Sequence, residues 1–319
     1  MTRPYRILII GRTPPPIGGV TIHTSRLLEA CDGKYKRCFM ALTWGNLMRL
    51  PFVLPRYQKA HLHASNVWVM LWFVCVCWLT KTYSILTIHR DFGIQRGYLG
   101  NWLECRAVAW SKKPVLLNQK SLSLAEKINK SAEMISSFIP PRLEREYLPL
   151  EAENCIQTLK KQYGVVFCSN AYKLVVDGNG EELYGIWELF DAFERNPQVA
   201  FVLSDPSRTY AQYVQEQARS LPPNIYIIEG EHSYYKVMSL CSASIRNTTT
   251  DGDSVSVKES LFLGLPTFVT DVVSRPTGCR TYKRGSFARV LSEIDLQNLV
   301  SQTFLVENAV ERLMEIYDN

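Results

Sequence analysis

The chain has no CxxC pair, and no His, Asp and Glu cluster stands at metal-ligand spacing, although it contains nine cysteines and five histidines. A structural zinc module is thereby excluded, and no metal or other cofactor is expected. The cysteines are scattered, and Cys75 and Cys77 lie inside an apolar run where thiols pack as small hydrophobes. That usage predicts a reducing, cytoplasmic setting. Long apolar runs are also missing. The longest, Val67–Leu79, has 13 residues, short of the roughly 20 that a membrane span requires. Such a run predicts a buried helix between sheets, with contact at a membrane surface as the alternative. The start of the chain, Met1-Thr2-Arg3-Pro4 followed by a strand, has no apolar core of the signal-peptide kind. No strong charge excess of either sign exists: 36 Lys and Arg against 30 Asp and Glu give +6 and a pI near 8.8. That balance is too diffuse to argue for nucleic acid, but it fits an anionic partner, either a phosphorylated substrate or a membrane surface.

What is present is an ordinary globular composition, 46% hydrophobic and 21% charged, over 319 residues. That length suits two domains of about 150 residues each. Tyr5–Gly11 is a short continuous apolar run, which marks a strand covered on both faces of a parallel sheet. Strand and helix patterns then alternate twice, first to about Ile139 and again from Val165. Pro140-Pro141 and the charged stretch Arg142–Glu153 form the break between them. This predicts an α/β protein with two facing Rossmann-like domains and a cleft between them. We place the first at 1–150 and the second at 151–300. The remainder, 301–319, holds a terminal helix with Leu305, Ala309, Leu313 and Ile316 at helical spacing. That helix suits a return onto the first domain or packing on its own. Trp44–Lys59, mixing bulky apolar residues with Arg and Lys, reads as a loop that packs on its own domain or lies against lipid headgroups.

The most informative stretch is Ile245–Asp271. It reads as a strand end, a turn rich in Thr, Asp and Gly, a helix opening near Ser254, and a next strand entered through Gly264 and Pro266. Asp251 lies in the turn and Glu259 on the helix, eight positions on. Backbone N–H groups at a helix N-terminus suit a phosphate, and Ser254 and Ser256 add hydroxyl donors. A carboxylate on such a helix takes both hydroxyls of a ribose, each bond to the charged group worth roughly 1.5–3 kcal/mol. These parts describe a nucleotide site. The alternative is a plain polar turn with a solvated helix charge. Near the start, Arg12-Thr13-Pro14-Pro15-Pro16-Ile17-Gly18-Gly19 opens a helix, and its glycines let backbone amides approach a ligand. His61-Leu62-His63 closes one strand, and Tyr83–His89 is another, with Asp91 just beyond. A histidine at the carboxyl end of a parallel strand is well placed for a ligand. His23, one turn into the first helix, reads equally as a structural or a ligand-facing histidine.

The acid pair eight positions apart, the helix start between them and the following Gly-x-Pro turn resemble the acidic motif of family-4 retaining glycosyltransferases of the GT-B fold. The proline run with Gly-Gly, and the His-x-His, helix, strand, His order, are similar to that family's N-terminal half. The resemblance spans most of the chain and is strongest from Arg246 to Gly278. It implies transfer of a sugar from a nucleoside-diphosphate donor, UDP-sugars favoured, to a glycan or lipid-linked glycan hydroxyl with retention of configuration, in bacterial surface-polysaccharide synthesis. It implies a cytoplasmic enzyme that touches the inner membrane peripherally. His89 and Asp251 would orient the sugar, and Asp91 would hold His89 or the acceptor hydroxyl. Gly18, Gly19, Asp253, Ser254, Val255 and Ser256 would line the donor, and Glu259 would hold its ribose. One departure stands out. Where the family carries an Arg and a Lys for the departing diphosphate, this chain has Ser169-Asn170 and Tyr184-Gly185. Lys173, Arg246 and Arg275 are the candidate replacements. Two alternative readings follow: a nucleotide-sugar epimerase of the same fold, or a non-catalytic partner subunit.

Overall fold

A computed structural model describes residues 5–15, 18–93, 97–178, 180–218, 220–251, 253–299, 302, 304 and 306–319. Met1, Thr2, Arg3, Pro4, Pro16, Ile17, Gly252 and Leu305, used in the sequence reading, lie outside them. The chain forms two units, one of Met1–Ile139 with Glu307–Asn319, the other of Pro140–Val306.

In the first unit strands and helices alternate: β1 Tyr5–Gly11, α1 Gly19–Cys31, β2 Phe39–Ala41, α2 Trp44–Val53, β3 Tyr57–His63, α3 Val67–Thr80, β4 Tyr83–Ile88, α4 Gly97–Trp110, β5 Lys113–Leu116, α5 Gln119–Ala125 and β6 Glu133–Met134. The sheet is parallel, in the order β2-β1-β3-β4-β5-β6. β1 is an interior strand covered on both faces, which explains its continuous apolar run. Leu8 and Ile10 of β1 pack with α2 to α5 on one face, and Ile7 and Ile9 pack on the other with Leu27 of α1. The order turns around β1, because β2 lies on one side of it and β3 on the other. That places a topological switch at the carboxyl ends of β1 and β3, where such sheets bind ligands.

The second unit runs α6 Leu150–Tyr163, β7 Val166–Asn170, α7 Ile186–Glu194, β8 Ala200–Asp205, α8 Thr209–Glu216, β9 Ile225–Glu229, α9 Tyr234–Leu240, β10 Ala243–Arg246, α10 Val255–Phe262, β11 Thr267–Thr270, β12 Cys279–Tyr282 and α11 Phe287–Glu293. Its parallel sheet has the order β12-β11-β10-β7-β8-β9. The switch here falls between β7 and β10. Phe167, Phe201 and Phe268 fill one face with α7 and α11, and Val166, Cys168 and Val202 the other with α6 and α9. A last helix, α12 Ala309–Asp318, belongs to the first unit. Its Leu313 and Tyr317 join the cluster of Ile7 and Ile9, and Tyr317 Oη bonds His61 Nδ1 at 2.6 Å.

Three expectations need correction. Trp44–Lys59 is not a loop but α2, a 3-10 turn and the start of β3. Thr43 caps α2 by accepting from Asn46 N at 3.3 Å. Pro51 lacks the N–H that would bond Leu47 O, and the Trp72 indole takes that carbonyl instead at 2.9 Å. The segment expected as linker to Glu153 already holds the start of α6 at Leu150. Helix α3, capped by Asn66 Oδ1 on Trp68 N and Val69 N, is buried on one side only. Trp68 is 62% exposed and Trp78 77%.

Candidate active site

At the switch of the second sheet, β10 ends on Arg246 and the following turn brings Asp251 back to it. Arg246 Nε and Nη2 donate to the two carboxylate oxygens at 3.1 and 3.2 Å. Arg275, just beyond β11, donates Nη1 to the same carboxylate at 2.8 Å and Nε to Thr270 O at 2.9 Å. Asp251 is thus held by two guanidinium groups, with its side chain 7% exposed. Burial raises the carboxyl's proton affinity, but Arg246 and then Arg275 outweigh it and hold Asp251 below its ordinary range. Burial likewise opposes the Arg246 charge, and Asp251 outweighs it, keeping the guanidinium protonated above its usual range. Two cations and one anion leave the cluster net positive.

Arg246 also touches both positions where the resemblance led us to miss a cation. Its Nη1 donates to Asn170 Oδ1 at 3.4 Å, and its guanidinium carbon lies 5.2 Å from the Tyr184 ring centre. Lys173, on the loop after β7, is exposed and has no ion pair among the described residues. Tyr184 leads into Gly185, which has φ +60 and packs so closely that a Cβ would run into Arg284 and Asn247. Asn247 Nδ2 in turn bonds Gly185 O at 3.0 Å and Glu188 at 2.9 Å.

The helices that follow the strands of this unit differ at their N-termini. Glu182 accepts from Ile186 N at 2.6 Å at the start of α7, and Asp205 from Tyr210 N at 2.8 Å in α8. Ser233 caps α9 on Lys236 N at 3.2 Å, and Glu188 accepts from Phe287 N at 3.2 Å in α11. At α10 the N-cap Ser254 makes no such bond. Its Oγ lies 3.2 Å from Ser256 Oγ instead. Among the described residues no side chain accepts from the amides of Val255 and Ser256, at a helix end that carries partial positive charge. Asp253 pairs with Lys258, a partner the sequence reading did not identify. Glu259 sits in the second turn of α10 and is 5% exposed, not a solvated helix charge.

In the first unit the switch gathers histidines from three elements. His63 ends β3, His89 follows β4, and His23 lies on α1. Ring centres stand 5.2 Å apart for His23 and His63, 5.6 Å for His23 and His89, and 4.0 Å for His61 and His63. His63 Nδ1 bonds His89 Nε2 at 3.1 Å, while His63 Nε2 is buried without a partner. His23 Nδ1 bonds Ser137 O at 2.7 Å, and His61 Nε2 bonds Thr87 Oγ1 at 2.7 Å. Burial, with the neighbouring imidazoles adding to it, pushes His61 and His63 well below their ordinary value and His89 down to about 3. These rings are neutral at pH 7. Among the described residues no group of three or more His, Cys, Asp or Glu is arranged to hold a metal ion. The imidazole bonded to His89 belongs to His63, and Asp91 accepts from Asn118 Nδ2 at 3.0 Å. Gly18, with extended backbone, precedes α1, and its N–H is taken by Thr21 Oγ1 at 3.0 Å. Gly19 is the first residue of that helix. The spatial convergence of His23, His63 and His89 was invisible in the sequence, where they lie 26 to 66 positions apart.

No protein-family model matches the chain, and no curated protein matches it by sequence. Solved structures do match. HepE (Alr3699) of Anabaena in complex with UDP superposes with a TM-score of 0.69 at 12% identity, covering 98% of both chains. The UDP-forming α,α-trehalose-phosphate synthase of Burkholderia xenovorans, bound to glucose-6-phosphate, gives 0.67 at 11% over 98% of this chain and all of the other. This is the GT-B fold. The UDP-GlcNAc 2-epimerase of Methanocaldococcus jannaschii also has it, with a TM-score of 0.60 at 12% identity over 98% and 99% of the two chains. Identities this low speak for the fold, and function has to be argued from the site.

Proposed function

We propose that the chain is a glycosyltransferase that moves a sugar from a nucleoside-diphosphate donor, a UDP-sugar by preference, to a hydroxyl of a glycan or lipid-linked glycan, with retention of configuration. Its setting would be bacterial surface-polysaccharide synthesis at the cytoplasmic face of the membrane. One observation carries the reading. In the second unit, α10 alone of the helices that follow strands keeps its N-terminus clear of a side-chain acceptor among the described residues, and it opens beside the net-positive Arg246–Asp251–Arg275 cluster. A diphosphate suits that position on charge and on hydrogen bonding. The fold is shared with a protein crystallised with UDP.

In this account the amides from Asp253 to Ser256 and the two serine hydroxyls receive the diphosphate. Arg246, with Lys173 close in sequence, supplies the positive charge that Asn170 and Tyr184 do not. Stabilising charge as it develops on the leaving group is the main task for a transferase without a metal. Glu259 takes the ribose hydroxyls. Asp251 has one acceptor position left after its three bonds, which suits a sugar hydroxyl, and it also fixes Arg246. In the first unit the neutral His89 offers a hydrogen bond to the sugar or its phosphate, oriented by His63, and Asp91 serves the acceptor hydroxyl. The departing phosphate takes the acceptor proton.

The test is incubation with labelled UDP-sugars, with and without a detergent-dispersed lipid-linked glycan, followed by NMR of the new glycosidic bond. Acceptor-dependent release of UDP and an unchanged anomeric configuration are expected. The likeness to an epimerase favours a second reading, and the same incubation separates it: an epimerase alters the sugar of the donor with no acceptor present.

A further inference from the structure

Helix α3 is apolar around its whole circumference, yet only one side of it is buried. Its outward residues, Trp68, Leu71, Trp72, Cys75, Trp78 and Leu79, recur at helical spacing and include no polar side chain. A surface helix of a globular protein normally turns charged residues outward. Helix α3 packs against α2 on one flank and α4 on the other, and both continue the pattern. On α2, Trp44, Met48 and Phe52 form an outward row, Trp44 76% and Phe52 79% exposed. On α4, Tyr98, Trp102 and Trp110 face outward. At roughly 250 Å² per indole, the exposed parts of Trp44, Trp68, Trp78 and Trp110 alone amount to about 670 Å². That is above the roughly 300–600 Å² of the largest patch a monomer ordinarily shows, before Phe52 and Leu79 are added.

The charge around this face has one sign. From Lys34 to Lys113 the chain carries twelve Lys and Arg against two Asp and Glu. Of the two acids, Glu104 is buried and Asp91 accepts from Asn118. Lys34, Lys59 and Lys113 of this stretch turn instead to Asp318, Ile316 O and Glu133 on the α12 side, so the charge beside the face is carried by the residues that flank α2, α3 and α4. Arg49 and Arg56 border the α2 row, Lys81 follows the end of α3, and Arg106 lies 5.1 Å from the Trp102 ring centre, all exposed. Indoles with an apolar body and a polar N–H, set among long basic side chains, match the boundary between acyl chains and anionic headgroups. Among the described residues no helix is long and apolar enough to cross a membrane.

We infer that the outer face of α2, α3 and α4 docks on an anionic lipid bilayer, with the tryptophans seated at headgroup depth and Arg49, Arg56 and Arg106 paired with lipid phosphates. The occupant is the membrane surface itself, because an apolar face ringed by one sign of charge complements anionic lipid and repels a second copy of itself. The inference stands independently of the donor chemistry.

The experiment is flotation of the full chain with phosphatidylglycerol vesicles and with phosphatidylcholine vesicles, in low and high salt. It is repeated on Trp68→Ser/Trp78→Ser and on Arg49→Glu/Arg56→Glu. Wild type should float with phosphatidylglycerol, with a blue-shifted tryptophan emission, and bind phosphatidylcholine far more weakly. The Arg pair should lose more than about tenfold in affinity, as should the Trp pair, and high salt should weaken the wild type. All four positions are exposed, and an unchanged melting curve verifies that the variants fold. Three results would overturn the inference: no flotation with either vesicle, equal binding of both lipids, or variants that bind as wild type does. A dimer in sedimentation that the Trp pair abolishes, without vesicle binding, would assign the face to a second copy and also refute it. Calorimetry with UDP on the same samples keeps the outcomes apart, since donor binding without flotation refutes only the docking face.

Discussion

Mild acid should destabilise the first unit through its buried imidazoles, and the size of the effect follows from one residue. His89 sits half-buried against His63 with its proton affinity pushed down to about 3, whereas in the unfolded chain it titrates near pH 6.5. Below pH 6.5 the unfolded chain takes up a proton that the folded unit refuses, so stability is complete above that value and falls as pH drops toward 3. Between about pH 7.5 and about pH 5.5 the loss from His89 alone is roughly 1.4 kcal/mol. His61 and His63 add to it in the same direction. Asp251 does not contribute in this window, because its lowered value confines its titration to more acidic solution. Six of the seven tryptophans, all but Trp187, belong to the first unit, so urea titrations followed by tryptophan fluorescence report on it. The decisive comparison is the pH dependence of wild type against that of His89→Gln, which keeps a hydrogen-bonding group beside His63. The variant should lose about 1.4 kcal/mol less over the window, whatever its absolute stability. Parallel pH profiles for the two proteins would refute the idea that His89 is held neutral by burial.

Other consequences concern the second unit. Asp251→Asn leaves Arg246 and Arg275 buried without their counter-charge and should cost about 3–5 kcal/mol in a calorimetric melt. Arg246→Ala should weaken UDP binding at least roughly tenfold in titration calorimetry, since a bond between charged groups is lost, whereas Lys173→Ala should do so less. Gly185→Ala forces a Cβ onto Arg284 and Asn247 at φ +60 and should lower stability by more than about 1 kcal/mol. A loss below a few tenths would show that the turn relaxes freely.

Much of the architecture was legible because its signals are local. The β1 run, the alternation of strands and helices, and the opening of α10 at Ser254 each follow from a few neighbouring residues. Helix α2 was hidden because Pro51 and Pro55 mimic loop composition, and the bond from Trp72 to Leu47 O that accommodates Pro51 comes from another helix. Helix α3 was found, but composition does not distinguish a helix buried all round from one with an apolar side left open. Asp251 lies in the turn before α10 and Glu259 on that helix, as their spacing suggested. What local spacing does not carry is that Asp251 is clamped by Arg246 and Arg275, one before and one well after it in the chain. The histidine cluster is the limiting case, since it exists only once parallel strands bring His63 and His89 side by side.

The proposal that α10 and its arginine cluster form a nucleoside-diphosphate site meets its most direct test in thermal melts of the wild type and Glu259→Ala with UDP, GDP, CDP and ADP. A ligand at about 100 times its Kd adds roughly 2.7 kcal/mol, which a melt resolves. The account predicts stabilisation of the wild type by UDP above the other three nucleotides and its loss in Glu259→Ala. No shift with any nucleotide, or the same shift in the variant, would contradict it.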